Sequence, residues 1–360
     1  MTPRAMFQGL KVIELASVLA GPAVGLFFAE LGAEVVKIEN PVTKGDVTRA
    51  WKAPTEDKNK TDSAYYHSVN YGKQVQFLNL KETDDRQRAY NLIQTADIVI
   101  VNYRPGAAEK LGMDYPTLQQ LNSRLIYAEL TGFGAHDKRP AFDVVLQAET
   151  GFLHLTGEAD GPPVKMPVAL IDILAAHQLK EGILVALLQR ERSGQGSKVS
   201  SSLYAAALAS LANQATNWLI AGYSPQRMGS QHPNIAPYGD VFRTADGKEL
   251  VLAIGVEKHF QKLCQLISAA HLAQDERFRT NADRVAHREL LIPLLQEQIS
   301  KYPRRDAFLQ QLHQEGIPAG AIRDLPDVFS QPEVERLLVR SKDDQGQTIT
   351  AVRSVAFKLT

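Results

Sequence analysis

The sequence predicts an α/β protein with a large domain built on a mostly parallel sheet and a smaller α+β domain. Three observations predict it. Short apolar runs alternate with helical segments through residues 10–130, residues 223–237 are rich in Pro, Ser, Gln and Asn, and a hairpin signal with further helical segments follows. Such alternation is typical of parallel strands joined by helices that cross over the sheet.

Length and composition narrow the class of protein. The chain has 360 residues, of which 44% are hydrophobic, which is enough for two domains with real cores. Forty Lys and Arg balance forty Asp and Glu, so no bulk basic charge indicates a nucleic-acid or membrane partner. The single cysteine, Cys264, excludes an intramolecular disulfide and a multi-cysteine metal site.

The sequence lacks the patterns of targeting segments and of common metal and nucleotide sites. The N-terminus lacks the apolar core of a signal peptide, and no run reaches the ~20 apolar residues of a membrane span. No zinc-ligand spacing, P-loop or Gly-x-Ser-x-Gly motif occurs. We therefore expect a cytoplasmic protein without a metal.

The first strands and helix form a βαβ unit. Residues 10–15 read as a buried strand, residues 20–22 as the turn, and residues 23–31 as a helix that ends at Gly32. Residues 33–39 are then a second strand. This unit starts the parallel sheet.

The alternation continues along the chain. Residues 75–80, 97–101 and 125–130 are predicted strands, and residues 83–95 and 115–121 are predicted helices. Together these elements predict a Rossmann-like sheet with right-handed crossovers. Ligands of such sheets bind where strands end and helices begin, which here means the loops after Leu15, Glu39, Leu80 and Val101.

Two long helical patterns and a hairpin complete the prediction. Residues 172–189 and 201–222 carry apolar residues at helical spacing, and Asp246-Gly247 indicates a turn between two short strands. Residues 352–359 are predicted as a last strand. The predicted domains are residues 1–222 (first part of the large, ligand-binding domain), 223–322 (small domain with linkers) and 323–360 (return to the large domain).

Three loops could bind an anionic ligand. Ala20-Gly-Pro22 lets a ligand approach backbone N–H groups at a helix start, although a plain tight turn explains it equally well. Arg49 and Trp51 could grip a phosphate and stack on a base, or could belong to an ordinary surface loop. Asn102-Tyr-Arg-Pro-Gly106, with Lys110 beyond it, combines an amide, a phenol and cations directly after a buried strand.

Asp172 is the carboxylate most in need of an explanation. It stands between apolar neighbours at the start of a long helical run. Capping of that helix is the commoner role for an aspartate in such a place. The residues around it do not by themselves decide between a cap and a catalytic group.

The ordered motifs resemble those of family III CoA-transferases, which include formyl-CoA and carnitine-CoA transferases and are related to the α-methylacyl-CoA racemases. The resemblance extends from about Gly9 to Phe357. The motifs that carry it are Leu19-Ala-Gly-Pro22, Leu31-Gly-Ala-Glu-Val-Val-Lys-Ile-Glu39, Gly45-Asp-Val-Thr-Arg49, Asn102-Tyr-Arg-Pro-Gly106, Thr131-Gly-Phe-Gly134, Gly194-Gln-Gly196 and His232-Pro-Asn-Ile-Ala-Pro-Tyr238.

The resemblance implies a function and a site. Asp172 would be the nucleophile that forms an aspartyl mixed anhydride and an aspartyl-CoA thioester as CoA moves from an acyl-CoA to a carboxylic acid. CoA would be a cosubstrate, with no tightly bound cofactor, and the active unit would be an interlocked homodimer. The positions implied to contact CoA are Leu19, Ala20, Asn40, Leu78, Asn79, Leu80, Lys81, Asn102, Tyr103, Arg104 and Lys110.

Two other functions stay open at this point, an acyl-CoA racemase or isomerase acting at the α-carbon and a non-catalytic CoA-binding protein. Phe142 stands where the racemases carry a catalytic histidine, which favours the transferase. Leu19 stands where formyl-CoA transferase has a glutamine, which disfavours formyl-CoA and oxalyl-CoA as substrates. The residues expected to shape the acyl pocket are Trp51, Tyr65, Tyr66 and residues 232–238.

Overall fold

The computed structural model describes residues 6–342 and 346–358. Within them the chain forms two compact units, each with its own core. The first unit comprises the ranges Met1–Phe152, Lys165–Asn213 and Glu333–Thr360, and the second comprises Leu153–Val164 and Gln214–Pro332. The functional division at residues 222 and 322 stays a prediction.

A six-stranded parallel sheet forms the centre of the first unit. Its strands are β1 (Lys11–Leu15), β2 (Glu34–Glu39), β3 (Gln74–Phe77), β4 (Ile98–Val101), β5 (Ile126–Thr131) and β6 (Ser197–Ser202). They lie in the order β3-β2-β1-β4-β5-β6, with Val12 aligned with Val35 on one side and with Ile98 on the other. This is the strand order of a Rossmann fold, so the predicted Rossmann-like α/β class is confirmed.

Helices connect the strands and cover the sheet. They are α1 (Ala20–Glu30), α2 (Ala64–Asn70), α3 (Thr83–Ile93), α4 (Ala107–Leu111), α5 (Tyr115–Leu121), α6 (Asp143–Glu149), α8 (Leu170–Ser193) and α9 (Leu203–Ala209). Helices α7 (Phe152–Leu155) and α10 (Ala212–Leu219) lie mostly in the second unit. Short 3₁₀ turns lie at Pro41–Thr43 and Val47–Ala50. The predicted single helix over residues 201–222 is wrong, because its first residues end strand β6 and the rest forms two short helices.

The sheet is buried on both faces, which explains its continuous apolar runs. Alternate residues of a strand point to opposite faces, so Val12 packs in one core cluster with α1 and α8 while Ile13 packs in another with α3 and α5. Both side chains are at most 2% exposed. Two cores therefore hold β1 rigidly at the middle of the sheet.

The second unit is a small α+β structure. Its antiparallel sheet contains β7 (Tyr238–Arg243), β8 (Glu249–Ala253) and β9 (Ala319–Ala321), and its helices are α11 (Glu257–Leu266), α12 (Asn281–Ala286), α13 (Arg288–Ile299), α14 (Arg305–Gln314) and α15 (Leu325–Phe329). Further 3₁₀ turns lie at Ala270–Ala273 and Pro332–Leu337. Gly247 has φ 74°, as the predicted β7–β8 turn requires. Phe242, Phe260 and Phe308 lie in its separate core.

A two-stranded antiparallel pair, β10 (Leu338–Lys342) and β11 (Thr348–Val352), returns to the first unit. The strand predicted over residues 352–359 is wrong for residues 353–358, because β11 ends at Val352, and residue 359 lies outside the described residues. Among residues 6–342 and 346–358, no helix has the length and apolar character needed to cross a bilayer.

Candidate active site

The crevice at the carboxyl ends of β1 and β4 is the place where a Rossmann-like sheet binds its ligand, because the strand order reverses there. The loops that follow these two strands are joined by Asn102. Its amide oxygen accepts the Ser17 N–H at 3.0 Å, and its amide nitrogen donates to the Ser17 carbonyl at 2.8 Å. Gly21 permits this approach, since a Cβ there would lie 2.5 Å from the Ala16 Cβ.

Asp172 lies in the first turn of α8 but does not cap the helix. The N-cap position belongs to Ala169, whose side chain makes no capping hydrogen bond. The capping carboxylate is Asp143 of α6, which accepts the N–H groups of Ile171 at 2.7 Å and Asp172 at 3.4 Å. The capping interpretation of Asp172 is therefore wrong, and the Asp172 carboxylate is free for another role.

The surroundings of Asp172 favour its neutral form. The residue is 7% exposed, and no donor in the described part of the chain makes a hydrogen bond to its carboxylate. Burial, and then repulsion by the Asp143 carboxylate, raise the Asp172 pKa to about 7. A poorly solvated carboxylate with a raised pKa is more nucleophilic once ionised, and such groups cluster at functional sites.

Asp172 faces a cavity of about 200 Å³ that also contains most of the residues singled out in the β1 and β4 loops. Leu19, Ala20, Asn102, Tyr103 and Arg104 line it together with Asp172. The cavity is also lined by Arg139 and Phe142, which lie on the segment between β5 and α6. The sequence did not single out Arg139, because no local motif marks it.

A larger cleft of about 1000 Å³ adjoins this cavity and shares Ser17 and Tyr103 with it. It follows the ends of β1, β2 and β3, and contains the predicted Asn40 and the half-exposed ring of Phe77. Its basic residues are Lys44, Arg49, Lys52, Lys58 and Lys60. The cleft has the size and charge for a nucleotide-like anion.

Some predicted contact positions do not reach either cavity. Strand β3 ends at Phe77, and the Leu78 and Leu80 side chains are buried in the core beneath α3. The Asn79 amide donates to Glu82 at 3.4 Å within the turn that precedes α3. Lys81 and Lys110 are exposed and line neither cavity. These positions can contact a ligand of this crevice only at its outer edge or through backbone atoms.

The Arg49 guanidinium is not free to grip a phosphate. It pairs with Glu39 at 2.8 Å and with Asp62, and it donates to the Tyr66 hydroxyl at 2.6 Å. Tyr66 is thereby a buried structural residue, although it was expected in an acyl pocket. Tyr65, in contrast, is close enough to Asp172 to feel its charge. Burial and the charges of Asp172 and Asp143 raise the pKa of Tyr65 to about 12.

Substitution of Asp143 is expected to shift the pH dependence of any reaction that requires the ionised Asp172 carboxylate. In Asp143→Asn, loss of the neighbouring charge lowers the Asp172 pKa, so the acidic limb of the pH–rate profile moves to lower pH. The side-chain amide oxygen of Asp143→Asn can still cap α8, whereas Asp143→Ala is expected to lower the free energy of unfolding by about 1 kcal/mol. Profiles of kcat against pH and urea denaturation measure both effects; an unmoved acidic limb in Asp143→Asn would exclude this coupling.

The fold and the crevice define a Rossmann-like α/β protein with a ligand site at its strand switch point. The chain belongs to the CoA-transferase family III, whose model matches residues 7–359. It is thus a CoA-transferase, as the resemblance of its motifs predicted.

Similar proteins cover nearly the whole chain. The succinate–glutarate CoA-transferase of Agrobacterium fabrum is 39% identical over 96% of this chain and 88% of its own length. The acetyl-CoA:oxalate CoA-transferase of Acetobacter aceti is 37% identical over 94% of this chain and 87% of its own length. A crystal structure of a CAIB/BAIF family protein from Brucella suis matches with a TM-score of 0.86 and 38% identity, covering 99% of this chain and 93% of that one.

Proposed function

We propose that the protein moves CoA from an acyl-CoA to a carboxylic acid through covalent intermediates on Asp172. One observation carries the proposal. A buried carboxylate that accepts no hydrogen bond from residues 6–342 or 346–358 faces a cavity that continues into a basic cleft at the strand switch point. Its free lone pairs and raised pKa suit a nucleophile better than a structural role.

The proposed reaction passes through two mixed anhydrides and one aspartyl-CoA thioester. An Asp172 carboxylate oxygen attacks the thioester carbonyl, the carbon–sulfur bond breaks, and CoA leaves as the thiolate. The thiolate then attacks the aspartyl carbonyl of the mixed anhydride and releases the donor acid, which leaves an aspartyl-CoA thioester. The acceptor carboxylate then attacks the aspartyl carbonyl and displaces the CoA thiolate, which gives a second mixed anhydride. The thiolate attacks the acceptor's carbonyl carbon, the Asp172 carboxylate is released, and the new acyl-CoA departs. Because water would hydrolyse the anhydride, the buried position of Asp172 also protects the intermediate.

The CoA moiety is proposed to lie along the two joined cavities. The pantetheine arm would pass Leu19, Ala20 and residues 102–104, where free backbone N–H groups begin helix α1. The nucleotide end would lie in the basic cleft near Asn40 and Phe77, whose ring is 50% exposed. Exposed aromatic rings beside cations suit an adenine with phosphates.

The acids are proposed to be short dicarboxylates such as succinate and glutarate. The names of several similar enzymes support this choice, since they act on succinate, glutarate, mesaconate, citramalate or oxalate. The sequence disfavours oxalyl-CoA as a substrate, but one similar enzyme is named for oxalate. Oxalate is therefore included among the acids to be tested. Arg104 lines the cavity of Asp172 and supplies positive charge for a second carboxylate. Arg139 also lines it, but its guanidinium is already paired with Asp137 at 2.9 Å and with Glu149 at 3.4 Å.

A homodimer in the cytoplasm is the proposed form of the enzyme. The second unit carries apolar side chains on and after α10 that are largely exposed in one chain, namely Trp218 at 58%, Leu219 at 76% and Ile220 at 83%. A second copy would cover them, as the family resemblance implies. Sedimentation equilibrium of the purified protein tests this, and a monomer at micromolar concentration would exclude it.

The test of the function combines a screen with trapping. Acyl-CoA donors are incubated with the panel of acids, and new acyl-CoA products are identified by mass spectrometry. Hydroxylamine added during turnover should convert the aspartyl intermediate into a hydroxamate that peptide mapping locates at Asp172.

Two outcomes would contradict the proposal. One is exchange of the substrate α-proton with deuterated water in the absence of an acceptor acid, which is racemase or isomerase chemistry. The other is CoA binding with no transfer to any acid, which is the behaviour of a non-catalytic CoA-binding protein.

A further inference from the structure

The loop between β1 and α1, residues 16–19, contains a residue in an unfavourable backbone conformation. Val18 has φ 71°, in the left-handed region. A β-branched side chain rarely adopts this region, because its branched Cβ crowds the backbone. Such a conformation persists only where the surrounding structure enforces it, and it commonly marks a functional site.

Asp46 enforces this conformation from the loop that follows strand β2, where it precedes the 3₁₀ turn Val47–Ala50. Both of its carboxylate oxygens accept the Val18 N–H, at 3.3 and 3.2 Å. The carboxylate is itself fixed by Thr48, whose N–H and hydroxyl donate to it at 3.0 and 2.8 Å. Asp46 is 4% exposed, so water does not compete for these bonds.

Lys37 and Glu14 extend this arrangement into a buried ionic network. The Lys37 ammonium contacts Asp46 at 3.1 Å, Glu14 at 2.9 Å and the Ala16 carbonyl at 2.6 Å. Lys73 contacts Glu14 at 2.7 Å and the Pro22 carbonyl at 2.8 Å. The network thus holds the backbone of the loop at Ala16 and Val18, and the backbone of helix α1 at Pro22.

Stability alone is a poor reason for these charges. The side chains of Glu14, Lys37, Asp46 and Lys73 are all fully buried, and apolar side chains often replace buried ion pairs without loss of stability. Helix α1 even carries Gly25 opposite Glu14, where a Cβ would overlap the carboxylate. The hydrogen bonds of the network end on the backbone of the segment whose residues Leu19 and Ala20 line the Asp172 cavity.

We infer that Asp46 is a positioning residue for CoA transfer, which holds Val18 in the left-handed region so that the first turn of α1 faces the thioester at Asp172. Asp46 does not touch the reacting atoms. The inference rests on the proposed function. Without Asp46, Val18 relaxes to negative φ and the N–H groups of residues 19 and 20 turn away from the substrate carbonyl.

The experiment measures the effect of Asp46→Ala in three backgrounds, because alanine cannot accept the Val18 N–H whereas an asparagine amide oxygen still could. With Val18 present, kcat should fall between about 10- and 100-fold, with KM for the acyl-CoA within about threefold. The same fall is expected with Val18→Ala, which removes the branched methyls but keeps the cost of positive φ. With Val18→Gly the fall should be no more than about threefold, because glycine adopts positive φ unaided.

An equal loss of kcat in the alanine and glycine backgrounds of an active transferase overturns the inference and leaves the proposed function intact. A wild-type protein that transfers CoA to no acid refutes both. Melting temperature supplies a readout that is independent of activity: Val18→Gly should melt higher than Val18→Ala, and the opposite order shows that the position is not strained. Should Asp46→Ala fail to fold, Thr48→Val is the second variant. It removes the hydroxyl that donates to the Asp46 carboxylate, so it loosens that carboxylate more mildly and must show the same dependence on the background.

Discussion

Asp172→Asn is expected to abolish CoA transfer, with kcat reduced by about 10⁴-fold or more, because the amide cannot form the anhydride. CoA binding should persist, since the cavity and the basic cleft keep their other lining residues. Isothermal titration with CoA and the transfer assay measure the two effects separately. Turnover within tenfold of wild type would refute the nucleophile.

The same variant is expected to be more stable than the wild type above neutral pH. The Asp172 pKa is raised from 3.8 to about 7 in the folded protein, so the folded state holds a proton that the unfolded state has already lost between these values. Stability therefore falls as pH rises from about 4 to 7, and the loss is complete above pH 7. An asparagine avoids this loss, which amounts to about 2–4 kcal/mol.

Urea denaturation at several pH values checks this difference. Asp172→Asn should exceed the wild type in stability at about pH 8 and match it at about pH 4. Asp114→Asn is the matched control, because Asp114 caps α5 by accepting the Thr117 N–H at 3.1 Å and lies outside both cavities. Its activity should stay near wild type. A pH-independent difference for Asp172→Asn would show that the carboxylate is solvated.

Lys37→Met is expected to lower the free energy of unfolding by about 3–5 kcal/mol, because it leaves the buried Asp46 carboxylate without a cation and Glu14 with Lys73 alone. Lys37 is the only residue in the described part of the chain that pairs with both Glu14 and Asp46. Burial opposes its charge, but the two carboxylates outweigh burial and hold the Lys37 pKa above its ordinary value. Denaturation at neutral pH measures the loss.

Two comparisons separate the buried charge from a general effect of losing a lysine. Lys198 pairs with Glu129 at 2.9 Å on the surface, so Lys198→Met should cost less than about 1 kcal/mol. Adding Asp46→Asn to Lys37→Met removes the carboxylate that has lost its cation and leaves the Glu14–Lys73 pair, so more than half of the lost stability should return. A Lys37→Met protein as stable as Lys198→Met would show that the network is hydrated.

Local sequence predicted most of the large sheet but missed its last strand. Strands β1, β2, β4 and β5 carry buried apolar runs, whereas β3 (Gln74–Phe77) overlaps the strand predicted over residues 75–80 only at residues 75–77. Strand β6 reads Ser197-Lys-Val-Ser-Ser-Ser202 and is mostly only partly buried. A polar edge strand has no periodic apolar signal, and only its pairing with Ile126–Thr131 defines it. The same absence of signal extended the predicted helix backward over residues 201 and 202.

The sequence by itself determined the class of fold, the loops at the strand ends and, through the ordered motifs, the family of the protein. It did so because strand periodicity, turn residues and motif order are properties of neighbouring positions along the chain. Asp172 could be singled out in this way but its role could not be decided.

Only the tertiary structure decided that role. Asp143 caps α8 from 29 residues earlier in the chain, and this long-range contact both frees the Asp172 carboxylate and, together with burial, raises its pKa. The hydrogen bond from Val18 to Asp46 is likewise invisible in the local sequence, because it joins the loops that follow two strands, and only the sheet brings those strands together. Desolvation and opposed charges depend on packing in three dimensions, and packing is what gives this carboxylate its chemistry.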